Sequence, residues 1–328
     1  MGMNVLSAGF SCIDIIKSSV SNNKISIGGT AANVASFLSF ISGKQVSIII
    51  PKMNNNFLKK ELCKRRIDVI EIGSRPSNCP IIIENISYEK HTFISVCPFC
   101  NYKIRNIKLP SHSDFLNNRS RMEFPLFFFY DRISPGIKSI VNSNANGWNF
   151  YEPNSLRSYT SFIDNAKSAD IIKFSSDRIS ERQTNSIIND LQNSKVKMII
   201  ITLGTGGLKY SVRGKNGLCN WIIIDSIKCV NTIDSSGAGD WLSSVLINDL
   251  IDYYPQGSTL IEPKTICPTL LKAQRIASKS CEYLGAHGIC ESREGVDYIN
   301  HVLKTNSHKQ NVFTNGSLRC PNCNKLIK

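Results

Sequence analysis

Short unbroken apolar runs alternate with amphipathic stretches along most of this chain. The runs at 5–10, 46–50, 124–130, 148–151, 171–174 and 196–202 are short and bounded by polar or turn residues, and they predict strands. Between and after them, 31–41, 57–66, 137–143, 159–166, 181–191, 238–249 and 269–284 repeat apolar residues at helical spacing. Strand and helix in turn argue for an α/β fold, with a mostly parallel sheet covered on both faces. Two β-like runs, 81–83 and 92–96, lie in a stretch, 81–122, that breaks this alternation and predicts a lid or small subdomain. Residues 305–328 are polar, rich in Asn, Ser and Lys, and read as a tail, except that they carry a cysteine pair.

The 328 residues suffice for one large α/β domain or two ordinary ones, and a hydrophobic share of 41% leaves ample material for a core. No apolar run reaches the roughly 18 residues that a membrane-spanning helix requires. The first residues lack the basic region of a signal peptide, and Leu6 stands where a myristoylation signal needs Ser or Thr. A cytoplasmic protein with no membrane partner is expected. The 39 basic and 25 acidic side chains give a net charge of +14. They are scattered, apart from Lys59-Lys60 and Lys64-Arg65-Arg66 on a predicted amphipathic helix, and no nucleic-acid recognition motif accompanies them. A solvated helical face accounts for that cluster, and nucleic acid is not an expected partner.

The chemistry concentrates in Asp234-Ser235-Ser236-Gly237-Ala238-Gly239-Asp240, which runs straight into the apolar stretch from Trp241. Small residues let a backbone approach a ligand closely, and the first amides of a helix have no internal partners. Such amides, with the helix dipole behind them, can stabilise a phosphate or the charge of a transition state. Asp240, in the first turn, could take the proton of an attacking hydroxyl. An Asp-capped helix start with small residues for packing would read the same way.

The segment resembles the Asp-Thr-x-Gly-Ala-Gly-Asp signature of the ribokinase-like carbohydrate kinases, the PfkB family, with Ser235 and Ser236 in the second and third places. Other segments follow the family's order. Gly28-Gly29-Thr30-Ala31-Ala32-Asn33 is similar to its N-terminal Gly-Gly signature, and Glu152-Pro153-Asn154 to its Asp-Pro-Asn segment. Asp170 to Ser175, with Lys173, resembles the strand before its metal-linked segment; Thr202-Leu203-Gly204 to Gly207 resembles its nucleotide turn; and Gly285-Ala286 resembles the helix end that closes its adenine pocket. The resemblance covers about residues 4–290. It implies a three-layer sandwich with a small β lid: a kinase domain over 1–300, with lid segments at about 18–30 and 78–122, and then a tail over 301–328.

The resemblance also implies roles. Asp240 would be the general base and Gly237, Ala238 and Gly239 the anion hole. Asp14, Gly28, Gly29 and Asn33 would meet a sugar or nucleoside. Lys173, Ser175, Thr202, Gly204, Gly207 and Ser236 would border ATP, which brings Mg²⁺. The expected reaction is phosphorylation of a hydroxymethyl group, and lid strands that pair between subunits make a homodimer compatible with the resemblance. Two departures stand out: the family's Asn-x-x-Glu reads Ser175-Ser176-Asp177-Arg178, without the Glu, and bulky Trp241 follows the base. Trp241 either narrows the substrate pocket or packs in the core. The altered metal segment and basic charge motivate a second reading, a catalytically weak regulatory protein that senses a nucleotide or sugar and recruits a partner through a zinc hook.

Twelve cysteines in a chain without a signal peptide do not suggest a disulfide framework. Four form two alike hooks, Cys97-Pro98-Phe99-Cys100 and Cys320-Pro321-Asn322-Cys323, each followed by Asn. Two such hooks make a closed, structural zinc site if the fold unites them. A redox pair would normally open a helix, and coincidence is the third reading. The 219 residues between Cys100 and Cys320 weigh against a single site.

Overall fold

The computed structural model describes residues 5–18, 23–86, 91–104, 108–122, 124–154, 156, 158–254, 261–314 and 318–327. Its strands are β1 (Val5–Ala8), β2 (Cys12–Ser18), β3 (Lys24–Gly28), β4 (Val46–Met53), β5 (Asp68–Ser77), β6 (Ile81–Ile86), β7 (His91–Ile94), β8 (Phe127–Tyr130), β9 (Trp148–Tyr151), β10 (Ile171–Ser175), β11 (Met198–Thr202), β12 (Leu208–Gly214), β13 (Gly217–Leu218), β14 (Ile222–Ile224), β15 (Leu318–Arg319) and β16 (Leu326–Ile327). The main sheet runs β13-β12-β11-β10-β9-β8-β1-β4-β5. From β11 to β5 all neighbours are parallel, and β12 closes the other edge antiparallel, with β13 and β14 paired to it.

The apolar runs make this sheet the middle layer of three. Successive side chains of a strand point to opposite faces. Val5, Phe127, Phe129, Ile171 and Ile200 therefore join one core cluster, and Leu6, Phe128, Tyr130, Ile172 and Ile199 join another. The helices Thr30–Ile41, Ala238–Tyr253 and Pro263–Ser280 cover the first face through residues such as Phe37, Trp241 and Leu270. Pro135–Ser143, Tyr159–Ala166 and Glu181–Leu191 cover the second through Ile140, Phe162 and Ile187. Ser134, Ser158 and Ser180 cap the last three helices. Small residues let the first two helices meet closely: Ser244 Oγ donates to Val34 O at 3.4 Å, and Trp241 stacks on Phe37 with ring centroids 4.0 Å apart. Trp241 is thus a fully buried core residue.

The lid is a separate sheet in the order β3-β2-β6-β7. It differs from the expected segments at both ends. β2 begins at Cys12, because β1 leaves the main sheet after Ala8 and the Ile13/Ile15/Ile16 run continues as a lid strand. Residues 112–122 do not join the lid. A capping box of Ser111 and Asp114 starts a helix there, and Phe115 and Met122 pack in the second cluster of the main sheet.

The described parts of the polar C-terminal stretch pack against the rest of the protein. Ile25 of β3 and Thr314 exchange backbone hydrogen bonds of 3.2 and 2.9 Å, and Arg65 Nη2 donates to Val312 O. Val312, Leu318 and Ile327 are buried in the first core cluster. Among the described residues, no helix is long and apolar enough to cross a membrane.

Candidate active site

Parallel strands present their carboxyl ends to one side of a sheet, and that side collects the chemistry here. Asp131 follows β8, Glu152 follows β9, and Ser175 and Thr202 end β10 and β11. The helix Ala238–Tyr253 starts over this edge. Its N-cap, Gly237, has φ 77°, and a Cβ there would run into Ala286, so the turn requires glycine. The Ala238 amide reaches back to Ser235 O at 3.3 Å, and Trp241 N bonds Gly237 O at 2.9 Å. Gly239 and Asp240 are first-turn residues whose amides have no intrahelical acceptor. Asp234 fixes the turn by accepting from Ser236 N at 2.9 Å and Gly285 N at 2.7 Å.

Asp240 is buried, 9% exposed, and its Oδ2 accepts from Asn33 Nδ2 at 2.7 Å. With the amide of Asn33 turned that way, its Oδ1 faces His287 Nε2 at 3.0 Å, so that nitrogen carries the proton. Burial, and then the charge of Arg65, hold the His287 imidazole well below its ordinary pKa and keep it neutral. Behind the turn Lys173 pairs with Glu152, whose other oxygen accepts from Ser243 Oγ at 2.5 Å. Burial, reinforced by Glu152, pushes the Asp240 carboxyl up to about 8, against the pull of the Asn33 hydrogen bond and Lys173. Asp131 is close enough to Asp240 and Glu152 to interact with both charges. It accepts from Phe10 N at 2.9 Å and from Asn154, which also bonds Thr30. Burial raises it to about 6.

The lid brings a second set of carboxylates to this edge. Asp14 of β2 packs directly on Gly28, where any Cβ would collide with its carboxylate. Burial, and then the nearby Glu84, push Asp14 up to about 7. Glu84 of β6 accepts a hydrogen bond from Ser236 Oγ and so ties the lid to the glycine turn.

The expected residues thus fall into three groups. Asn33, Gly237, Ala238, Gly239 and Asp240 come together at the helix start, with Asp14, Gly28 and Gly29 beside them on the lid side. Thr202, Gly204 and Gly207 form a turn at the end of β11, where Gly204 and Gly207 have φ of 58° and 88°. Lys173 and Ser236, expected at the nucleotide, are already engaged with Glu152 and Glu84. Ser175 leads into the short helix Ser176–Arg178, where Asp177 is exposed and Arg178 Nη1 donates to Pro153 O at 2.8 Å. Sequence reasoning missed Asp131, Glu84 and His287. Asp131 could have been found as the carboxylate that ends the 124–130 run. His287, 254 residues from Asn33, gave no local signal. A cavity of about 330 Å³ lies elsewhere, between Ile13, Cys79 and Ile81 of the lid and Leu318 to Pro321. It contains none of the converging charged groups.

The four hook cysteines also meet. All four sulfurs lie within 4.8 Å of one another, with Cys97 to Cys323 at 3.8 Å and Cys100 to Cys320 at 3.7 Å. A tetrahedron with metal–sulfur bonds of about 2.3 Å has edges of about 3.8 Å, so the donor set fits zinc in number, chemistry and spacing.

No protein-family model and no curated protein sequence matches the chain. Its three-layer core, β lid and glycine-led helix over the sheet edge are those of the ribokinase-like kinase fold. A ribokinase from Giardia lamblia superposes with a TM-score of 0.70 at 13% identity, over 90% of this chain and 98% of that one. A fructokinase with bound ATP from Xylella fastidiosa gives 0.71 at 14% identity, over 93% and 99%. An aminoimidazole riboside kinase from Salmonella enterica, complexed with its riboside and an ATP analogue, gives 0.63 at 16% identity, over 92% and 99%.

Proposed function

We propose that this protein is an ATP-dependent kinase that phosphorylates a hydroxymethyl group of a sugar, a sugar derivative or a nucleoside. The observation that carries the reading is Asp240, a buried carboxylate held by Asn33 in the first turn of a glycine-led helix. The similar solved structures are sugar and riboside kinases, one with ATP and one with an ATP analogue, which supports the same class.

The acceptor hydroxyl gives its proton to the free Asp240 oxygen as its own oxygen bonds the γ-phosphorus, and the bond to the bridging oxygen of ADP breaks. At the Gly237–Gly239 turn the Gly239 amide, which has no intrahelical acceptor, faces the charge that develops on the transferred group, and the Gly237 and Ala238 backbone shapes the anion hole. Asp14, with the Gly28–Gly29 backbone, binds acceptor hydroxyls. Asn33 is a positioning residue, because its amide is committed to the base. Thr202, Gly204 and Gly207 border the nucleotide. Mg²⁺ bound to ATP neutralises phosphate charge. In the altered segment exposed Asp177 is the carboxylate that would stand in for the missing Glu.

Acceptor-dependent release of ADP, measured with ATP, Mg²⁺ and a panel of sugars and nucleosides, tests the reading. Binding without turnover across the panel favours a regulatory, sensing protein instead, the reading that the missing metal-segment Glu supports. Within an active kinase, His287→Leu is expected to lower kcat by about tenfold through loss of a buried hydrogen bond to Asn33. His287→Gln retains a donor and should recover most of it. Equal losses in both variants would show that His287 only fills space.

A further inference from the structure

We propose that Cys97, Cys100, Cys320 and Cys323 hold one Zn²⁺, and that this metal is a clasp fastening the C-terminal segment across the lid, so that acceptor binding depends on it. The acceptor part rests on the kinase reading above; the metal and the clasp do not.

The two hooks are built alike. In each, the amide of the first Cys donates to a carbonyl five residues on, Cys97 to Tyr102 at 2.8 Å and Cys320 to Lys325 at 2.9 Å. In each, an Asn after the second Cys donates back to the first Cys carbonyl at 2.9 Å, with φ of 55° at Asn101 and 57° at Asn324. The left-handed Asn turns the chain so that both sulfurs of a hook face the same point. Short antiparallel pairings brace both hooks: a bridge of Val96 with Lys103, and β15 with β16. First cysteines are buried and second ones half-buried in both hooks. The sulfurs also receive N–H groups, from Asn322 N to Cys320 at 3.4 Å and from Asn322 Nδ2 to Cys100 at 3.6 Å. Four thiolates around Zn²⁺ leave a net charge of −2, and Lys103, Arg319 and Lys325 lie in the two hairpins to offset it. With four sulfurs as ligands no coordination position is left for water, so the metal is structural.

What the metal joins gives it a role. In the lid order β3-β2-β6-β7, β3 and β7 are opposite edges. The C-terminal segment pairs with the β3 edge through Thr314 and Ile25, and its hook meets the hairpin that follows β7. Its described parts therefore meet opposite edges of the sheet that carries Asp14 and Glu84. Among the described residues, the polar bonds from its 312–314 stretch to the rest of the protein are the Ile25–Thr314 pair, Ser26 Oγ to Val312 O at 3.4 Å and Arg65 to Val312 O at 3.4 Å, while Ser307 Oγ to Phe40 O at 2.7 Å and Gln310 N to Cys290 O at 2.9 Å hold the chain before it. Zinc binding to four preformed thiolates is strong enough to decide whether such a segment stays docked.

Full-length protein purified without chelators is expected to contain about one zinc per chain. Less than about a tenth, or two disulfides found in its place by mass spectrometry, overturns the site. Hydrogen exchange tests the clasp. Stripping the metal should speed exchange of the Ile25 and Thr314 amides by about tenfold or more, with core amides such as Trp241 unchanged and recovery on adding Zn²⁺. Unchanged exchange at Ile25 and Thr314 overturns it. If stripping unfolds the whole protein, the paired substitution Cys320→Ser with Cys323→Ser gives the same comparison in a chain that never loads metal. For the acceptor, KM should rise about tenfold on metal loss while kcat changes little; an unchanged KM overturns that part. A zinc-loaded protein with a metal-dependent lid and no turnover on any acceptor would refute the kinase reading while upholding the clasp.

Discussion

Asp240→Asn is expected to leave a folded protein that has lost phosphoryl transfer by between about a hundredfold and ten-thousandfold, the usual share of a general base. Asn fits the space of Asp and can still meet Asn33, so circular dichroism and nucleotide binding should persist. The wild-type pH profile carries the same argument. The base must be ionised to accept a proton, and burial with Glu152 places the Asp240 carboxyl near 8 in the free protein. kcat/KM should therefore climb with pH up to about 8 and then level. Stability moves in the opposite direction. A carboxyl whose pKa is raised on folding contributes most below its unfolded value, near 4, and loses that contribution as pH rises through 8. Asp240→Asn removes this dependence, so the variant should gain on the wild type in denaturant midpoint between pH 5 and 8. A variant with near-normal turnover would sink the assignment of Asp240.

Lys173→Met is expected to have the second-largest effect, on stability and activity together. The Lys173 side chain is 3% exposed and that of Glu152 12%, and the two are paired behind the helix start. Removing one member of a buried pair leaves the other charge uncompensated and costs about 3–5 kcal/mol. The orphaned Glu152 would also face Asp240 without its cation, raising the pKa of the base further and moving the kcat/KM profile to higher pH. Adding Glu152→Gln should recover most of the stability, because no bare charge then remains, and should bring the profile back. Urea titration and the pH–rate profile read both effects. Additive losses in the double variant would show that the two side chains contribute separately.

Much of this was legible in the sequence where one short segment carried the whole signal. The unbroken apolar runs marked the strands of the parallel core because both faces of that sheet are covered, and Gly237 marked the helix start because only glycine fits against Ala286. β5 and β12 were harder to see. Their outer positions are polar or exposed near the sheet edges, so neither carries an unbroken apolar run. The glycine-led helix start was readable, but its surroundings were only partly so. Asn33 looked like a substrate contact, yet its partners, Asp240 and His287, lie far along the chain. Lys173 looked like a nucleotide residue because spacing cannot show that Glu152 stands next to it. The cysteine hooks were plain as hooks, and only the fold brings them within reach of one another.

The Asp240–Asn33–His287 chain has a consequence for folding. Its members are separated by 207 and 254 residues, so the hydrogen bonds that hold the base close loops spanning most of the protein. Contacts of such long range form late, because the entropy of closing the loop is lost before the contact can repay it. The β-strands and their local crossovers can assemble first, while the base still swings free. Partly folded forms of this protein would then show nearly full secondary structure and no catalysis, and during refolding the return of activity should lag the return of the circular dichroism signal.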